Sequence, residues 1–320
     1  MIASDARDAL RTCLGERIDF DVPLSRHTSL RIGGPADAMA TPADREELAG
    51  LLAICHAHQI PVRVLGAGFN VLVLEGGIRG LVLRLKKLRR IEREADDRIL
   101  VEAGASHATM TSYCVKEGLS GLEFGAGIPG TLGGWLAMNA GIGTRELKDV
   151  VIEIELIDGA GTAFETIPRD RLDFRYRSLS GLPEGAILVA ARLRVEPSAP
   201  DTIQREIDEL LAHRQRTQPT DIPSCGSVFR NPPDDYAGRL IESVGLKGSR
   251  LGAAEISARH ANFIVNHGGA TAEDVLGLIE RAKETVLRET GVELETEVQL
   301  LGVAATSLGE ATPIREGASR

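Results

Sequence analysis

Aromatic side chains make up only 3% of this 320-residue chain, so its cores have to be built from Leu, Val, Ile and Ala. Cysteine is scarce as well. Cys13, Cys55, Cys114 and Cys225 include no Cys-x-x-Cys pair, which argues against a disulfide framework or a zinc site and fits a reducing cytoplasm. No apolar run is long enough to cross a bilayer, and Met1-Ile2-Ala3-Ser4-Asp5 has neither the basic region nor the apolar stretch of a signal peptide. Lys and Arg are dispersed in a chain of net charge −9, with no basic stripe interleaved with aromatics, so a nucleic-acid partner is not expected. The seven histidines are scattered and form no His-Glu-x-x-His motif, and no metal is expected.

Hydrophobic content of 43% and charged content of 26% are those of an ordinary soluble globular protein. The length suggests two or three compact units. Glycine is the conspicuous resource: nine lie between Gly118 and Gly143. They surround Ile128-Pro129-Gly130-Thr131-Leu132-Gly133-Gly134, which reads as a helix start with proline in its first turn, and lead to Met138-Asn139-Ala140-Gly141. Glycines here let a backbone approach an anionic ligand with its N–H groups exposed. The pattern leaves equally open a set of tight turns between short strands.

Thr41-Pro42-Ala43-Asp44 predicts a helix with Thr41 as its N-cap. A strand over Pro61–Leu65 follows, then Gly66-Ala67-Gly68-Phe69-Asn70 and a second apolar run from Val71. That turn fails as a dinucleotide fingerprint, because Val71 holds the third glycine position and no helix follows. A hairpin is the simpler reading. Ser106–Lys116 reads as a helix stopped by Gly118, and Val150–Ile157 with Thr162–Ile167 as a hairpin around Asp158-Gly159-Ala160-Gly161. Pro197-Ser198-Ala199-Pro200 suggests a domain boundary. Beyond it, Thr271 caps a long amphipathic helix ending at Gly291, and Val292–Leu300 alternates as a strand with Glu293, Glu295 and Glu297 on one face. Pattern alone cannot choose among those three carboxylates.

Three further segments carry possible chemistry, each with a plainer alternative. Phe174-Arg175-Tyr176-Arg177-Ser178 combines arginines and aromatics, which suits a surface cation–π patch. Cys225 reads as a small packing residue rather than a nucleophile. Ser227, ahead of Val228-Phe229-Arg230-Asn231-Pro232, is better placed to donate a hydrogen bond or proton than to attack.

These segments, taken in order from Leu24 to Gly302, resemble the UDP-N-acetylenolpyruvoylglucosamine reductase family. The match includes His27–Pro35, the Gly66–Leu72 turn, Gly118–Phe124, Gly127–Gly130, Met138–Gly141, Tyr176-Arg177, Gly226–Pro232, His260-Ala261-Asn262-Phe263 and Leu294–Val298. The spacing between Arg177 and Ser227 is similar to the branch lacking an extra substrate-covering loop. The resemblance implies an α+β protein: an FAD-binding fold of the vanillyl-alcohol-oxidase type in two lobes (1–85 and 86–200), a C-terminal α+β substrate domain (201–303) and a loose tail (304–320). It implies non-covalent FAD held by Gly66, Ala67, Gly68, Phe69, Asn70, Gly127, Ile128, Pro129, Gly130, Thr131, Asn139, Ala140 and Gly141. NADPH would reduce that FAD, and hydride would pass from flavin N5 to C3 of UDP-N-acetylglucosamine enolpyruvate. Arg177 and Glu297, the latter as the acid, would stabilise the charge at C2 and its carboxylate while Ser227 delivers a proton to C2. Tyr176, Asn231 and His260 would contact substrate. The product, UDP-N-acetylmuramate, feeds peptidoglycan synthesis and hence cell shape and division, and the enzyme is expected to be cytoplasmic and monomeric.

Four residues depart from the family pattern: Phe69 for a small hydroxyl residue, Cys225 for alanine, Leu179 for serine and Gln299 for arginine. Two other functions are weighed against the reductase, an FAD-dependent oxidase of the same fold and a non-catalytic nucleotide-sugar binder. The oxidase lacks support from the C-terminal domain, where Ser227 and Glu297 occur in the reductase's context, and Arg177, Ser227 and Glu297 together argue against the binder, which needs no proton donor.

Overall fold

Asp158 shows how directly local chemistry shapes this chain. Its carboxylate accepts the backbone N–H groups of Ala160, Thr162 and Ala163 at 2.8–3.0 Å, which closes the turn between the antiparallel strands Val151–Ile157 and Phe164–Pro168. A hydrogen bond from the Thr162 hydroxyl, with those from the backbone, holds its pKa down at about 2. The computed structural model describes residues 2–304, so all but the first residue of the expected tail lies outside the described residues. Chain contacts divide it into two units: residues 1–20, 38–67 and 80–216 form the first, and residues 21–37, 68–79 and those from 217 onward form the second.

The first unit contains the helices α1 (Ser4–Leu14), α2 (Arg45–Ala57), α3 (His107–Glu117), α4 (Leu132–Ala137) and, but for its last residue, α5 (Pro200–Thr217). Its five-stranded antiparallel sheet runs in the order Phe164–Pro168, Val151–Ile157, Ile187–Arg194, Arg98–Glu102, Ile91–Ala95. One core packs Met110 and Cys114 of α3 with Trp135 and Leu136 of α4 against Val101, Ile154 and Leu193. A second gathers Leu10, Leu48, Leu51 and Leu52 of α1 and α2 with Leu81, Leu83, Ile157 and Val189. The N-cap of α2 is Asp44, not Thr41: the Asp44 carboxylate accepts the Glu47 N–H at 2.9 Å, and an aspartate there caps the helix dipole directly. Pro197 ends a short strand paired with Leu119–Ser120, and Pro200 starts α5, which buries Ile203 and Ile207 beside Ala126.

The second unit carries α6 (Ala237–Ser243) and α7 (Ala272–Thr290) against a four-stranded antiparallel sheet ordered Ser224–Ser227, Phe263–Asn266, Ala254–Ile256, Arg250–Leu251. In α7 the Thr271 hydroxyl accepts the Asp274 N–H and the Asp274 carboxylate accepts the Thr271 N–H, a reciprocal cap. Val275, Leu278, Ile279, Ala282 and Val286 then bury one face, the spacing of a single helical stripe.

Two further expectations need correction. Gly66–Asn70 is no hairpin: Val62–Val64 pairs in parallel with 81–83, whereas Val71–Val73 pairs in parallel with Gln299–Leu301. The turn instead carries the chain from the first unit into the second after Ala67. Nor is Val292–Leu300 one strand. Only Gln299–Leu301 is a strand, Thr296 forms an isolated bridge to Phe229, and Leu300 is exposed. The segment changes partners midway, which alternation cannot reveal.

Leu278→Ala should destabilise the protein by about 2–5 kcal/mol, the cost of a core cavity, whereas Leu287→Ala on the exposed side of α7 should stay within about 0.5 kcal/mol. Equal losses in denaturant unfolding would contradict this assignment of the buried stripe.

Candidate active site

In the first unit, residues 127–131 form the loop ahead of α4. The helix begins at Leu132, so Pro129 lies three residues short of the first helical position expected for it. The first two helical amides are committed: Leu132 N–H donates to Ala105 O at 3.0 Å and Gly133 N–H to Ala103 O at 2.8 Å. By contrast, the N–H groups of Gly130 and Thr131 have no hydrogen-bond partner among the described residues. Gly130 adopts φ +133°, a conformation side chains resist. A Cβ there would stand 3.6 Å from the Trp135 indole nitrogen. That indole N–H is itself buried without a partner, and leaving such a donor unmet costs about 1–3 kcal/mol. Gly66 lies close by, within 3.2 Å (as a Cβ would) of Thr131 Oγ1. Two neighbouring backbone donors and one indole donor therefore await an acceptor, as an anionic, hydrogen-bonding cofactor would provide. Gly68 and Gly141 are glycines for another reason. Protein carbonyls, His27 O and Arg145 O, occupy the space a side chain would need.

Arg177 is the second residue of the two-residue turn joining Asp173–Arg175 to Ser178–Ser180. Its φ is +55°, a conformation that costs a side chain-bearing residue about 1–3 kcal/mol. The guanidinium stacks over the Tyr176 ring at 4.9 Å and donates to Gly141 O at 3.2 Å. Asn139 is fully buried, and its amide is hydrogen-bonded within the protein to Glu146, Arg175 O and Lys148 N. The Leu179 departure is packing: it pairs with Phe174 and lies on the first unit's core.

In the second unit, Ser227 ends a bulged strand. Ser224 faces Val265 and Ser227 faces Phe263, so three steps on one strand match two on the other, and Gly226 at φ +83° takes up the extra residue. The bulge sends Cys225 into the core, where burial raises its thiol to about 12, and leaves Ser227 half-buried. The Ser227 hydroxyl has no hydrogen-bond partner among the described residues. Residues 228–230 then pair with 295–298: Glu297 N–H donates to Val228 O at 2.8 Å and Arg230 N–H to Glu295 O at 2.9 Å. This pairing separates the three carboxylates. Glu293 and Glu295 are exposed and Glu297 is half-buried.

Asn70 reinforces that placement, its side-chain Nδ2 donating to Glu297 O at 3.2 Å while its backbone carbonyl accepts Gln299 N–H at 3.1 Å. Gln299 is thus a strand residue paired with Val71. Nothing in the structure explains Phe69 beyond its half-buried position. Asn231 Oδ1 accepts the Ala237 N–H at the start of α6. His260 stands edge-on to Phe263 and within 3.1 Å of where a Gly238 Cβ would sit. The structure thus brings Arg177 to Tyr176 and Gly141, and Ser227 to Glu297, Asn70 and the Asn231 segment.

Asn262 was not singled out by sequence reasoning. Its buried amide accepts Phe229 N–H at 2.9 Å and donates to Phe229 O at 2.8 Å, holding the segment after Ser227 as a backbone partner would. The signal was an asparagine inside the apolar run Ala261–Val265.

Comparison with known proteins gives concordant findings. Residues 218–301 match the UDP-N-acetylenolpyruvoylglucosamine reductase C-terminal domain, and residues 36–166 match an FAD binding domain. The chain is 45% identical over 282 residues to the UDP-N-acetylenolpyruvoylglucosamine reductase of Geobacter sulfurreducens, covering 88% of this chain and 93% of that one. It is 43% identical over 293 residues to the Moorella thermoacetica protein of that name, covering 92% and 96%. The crystal structure of the Thermus caldophilus reductase superposes with a TM-score of 0.76 at 37% identity, covering 88% of this chain and 98% of that one.

His260 Nδ1 accepts the Asn262 N–H at 3.2 Å, so the ring proton sits on Nε2. Burial, with Lys247 nearby, holds its pKa below the ordinary histidine value. Nitrogen NMR should report the Nε2–H tautomer at neutral pH, with protonation setting in only below the range of a free histidine. An imidazolium at pH 7 would contradict this geometry.

Proposed function

The chain belongs to the UDP-N-acetylenolpyruvoylglucosamine reductase family, and on that premise we propose that it reduces UDP-N-acetylglucosamine enolpyruvate to UDP-N-acetylmuramate, with NADPH as reductant and FAD as the non-covalent carrier. FAD, when bound, supplies the hydride that reaches C3 of the enolpyruvyl group. Gly66, Ala67, the loop Gly127–Thr131, and Ala140 and Gly141 would hold it, with the unpartnered N–H groups of Gly130, Thr131 and Trp135 as donors. Gly68, Phe69 and Asn70 complete the proposed binding set. Asn139, with no exposed surface and its side chain committed within the protein, is left out of that set.

The remaining chemistry belongs to the chain's own side chains. As C3 gains hydride, negative charge grows on C2 and its carboxylate. A fixed cation and a hydrogen-bonding acid aimed at that charge lower the barrier, and removing one such group costs about 3–4 kcal/mol. Arg177 supplies the cation and Glu297 the acid. Ser227 then protonates C2, and Tyr176, Asn231 and His260 position the substrate. The observation that carries this reading is the pairing of residues 228–230 with 295–298. It runs beside the half-buried Ser227 a segment in which Glu297 is half-buried while Glu293 and Glu295 are exposed, which supports Glu297 as the acid. The product belongs to peptidoglycan precursor synthesis, and with it to cell-wall formation and division. We propose a cytoplasmic enzyme working as a monomer; its four unpaired cysteines fit a reducing compartment. Among the described residues no helix is long and apolar enough to cross a membrane.

In Ser227→Ala, reduction of bound FAD by NADPH should proceed at the wild-type rate. Reoxidation by the enolpyruvyl substrate should fall by about 10²–10³-fold, the scale of a lost general acid. Survival of both half-reactions would remove Ser227 from the chemistry.

A further inference from the structure

We propose that Asn139 is a positioning residue that holds Arg177 in its working geometry; this rests on the reading of Arg177 given above. The turn bearing Arg177 has an unfavourable backbone, φ +55°, and such conformations persist only where surrounding structure over-determines them. Asn139 supplies that restraint from two directions. Its Nδ2 donates to Arg175 O at 3.0 Å, fixing the residue that precedes the turn and pairs with Ser178 across it. It also donates to Glu146 Oε2 at 3.1 Å, while its Oδ1 accepts Lys148 N–H at 3.0 Å.

Those bonds secure the short hairpin in which Glu146 pairs with Gly141, and Gly141 O is the acceptor of the Arg177 guanidinium. One buried amide thus anchors both the backbone of Arg177 and the carbonyl that receives its side chain. The surroundings fit a purpose-built joint. Asn139 has no exposed surface, and its φ of +39° is one that asparagine tolerates better than most residues. Lys148 Nζ pairs with the Glu146 carboxylate that also accepts the amide.

Two variants of the FAD-loaded enzyme test the proposal. Asn139→Gly tolerates the backbone angle and deletes the amide. Asn139→Asp keeps the shape and the acceptor but loses the donors. In stopped flow, both should retain wild-type flavin content and NADPH-driven flavin reduction, and both should lose about 10–100-fold in flavin reoxidation by UDP-N-acetylglucosamine enolpyruvate, as a slight misplacement of a catalytic group does. In an Arg177→Ala background the same changes should cost no more than about twofold further, because the two residues act as one unit. Multiplying losses, a wild-type rate in both variants, or a joint loss of flavin binding would overturn the inference while Arg177→Ala alone remains crippled. If Arg177→Ala itself reoxidises normally, the reading of Arg177 falls first and this inference with it.

Discussion

Backbone pairing between residues 228–230 and 295–298 is the constraint on which the second unit's chemistry depends. Neither segment is regular secondary structure along its length. They meet through the Phe229–Thr296 bridge and the flanking hydrogen bonds of Glu297 and Arg230. The Ser227 bulge sets the phase of one partner and the Asn70 contacts set the phase of the other. A slip of one residue would exchange the faces of the alternating segment and put Thr296 or Val298 in the place of Glu297.

Buried asparagines recur at the points where this precision is needed. Asn262 grips both polar groups of Phe229, and Asn139 grips Arg175, Glu146 and Lys148. An amide can donate and accept at once, so it can stand in for a missing strand where backbone must be held but not continued. Buried polar groups of this kind are costly unless fully met; Asn262 is met by the segment that follows Ser227, and Asn139 by Arg175 ahead of Arg177 together with Glu146 and Lys148. Ser29 does similar work with a hydroxyl, lying 2.7 Å from Ser224 O and 3.0 Å from Gly68 O.

Much of this was legible in the sequence, for physical reasons that differ by element. The reciprocal cap of α7, its apolar stripe and the Asp158 hairpin are local, so residues a few positions apart specify them. The N-cap of α2 was misplaced because Thr41-Pro42 and Asp44 are both acceptable caps and only the second faces the helix amides. The turn at Gly66–Asn70 looked like a hairpin because nothing local records that its two strands join different sheets. Glu297 could not be separated from Glu293 and Glu295, since the distinction comes from pairing with a segment almost seventy residues away. Family resemblance supplied the roles of Arg177, Ser227 and Glu297, while the use of Asn139 to hold protein rather than ligand needed the coordinates.

The most direct test of the account follows NADPH consumption by the FAD-loaded protein with and without UDP-N-acetylglucosamine enolpyruvate. The account predicts that oxidation of NADPH stays near background until the enolpyruvyl sugar is added and then matches it mole for mole, yielding the lactyl ether. Equal consumption of NADPH with dioxygen alone, indifferent to the sugar, would contradict it.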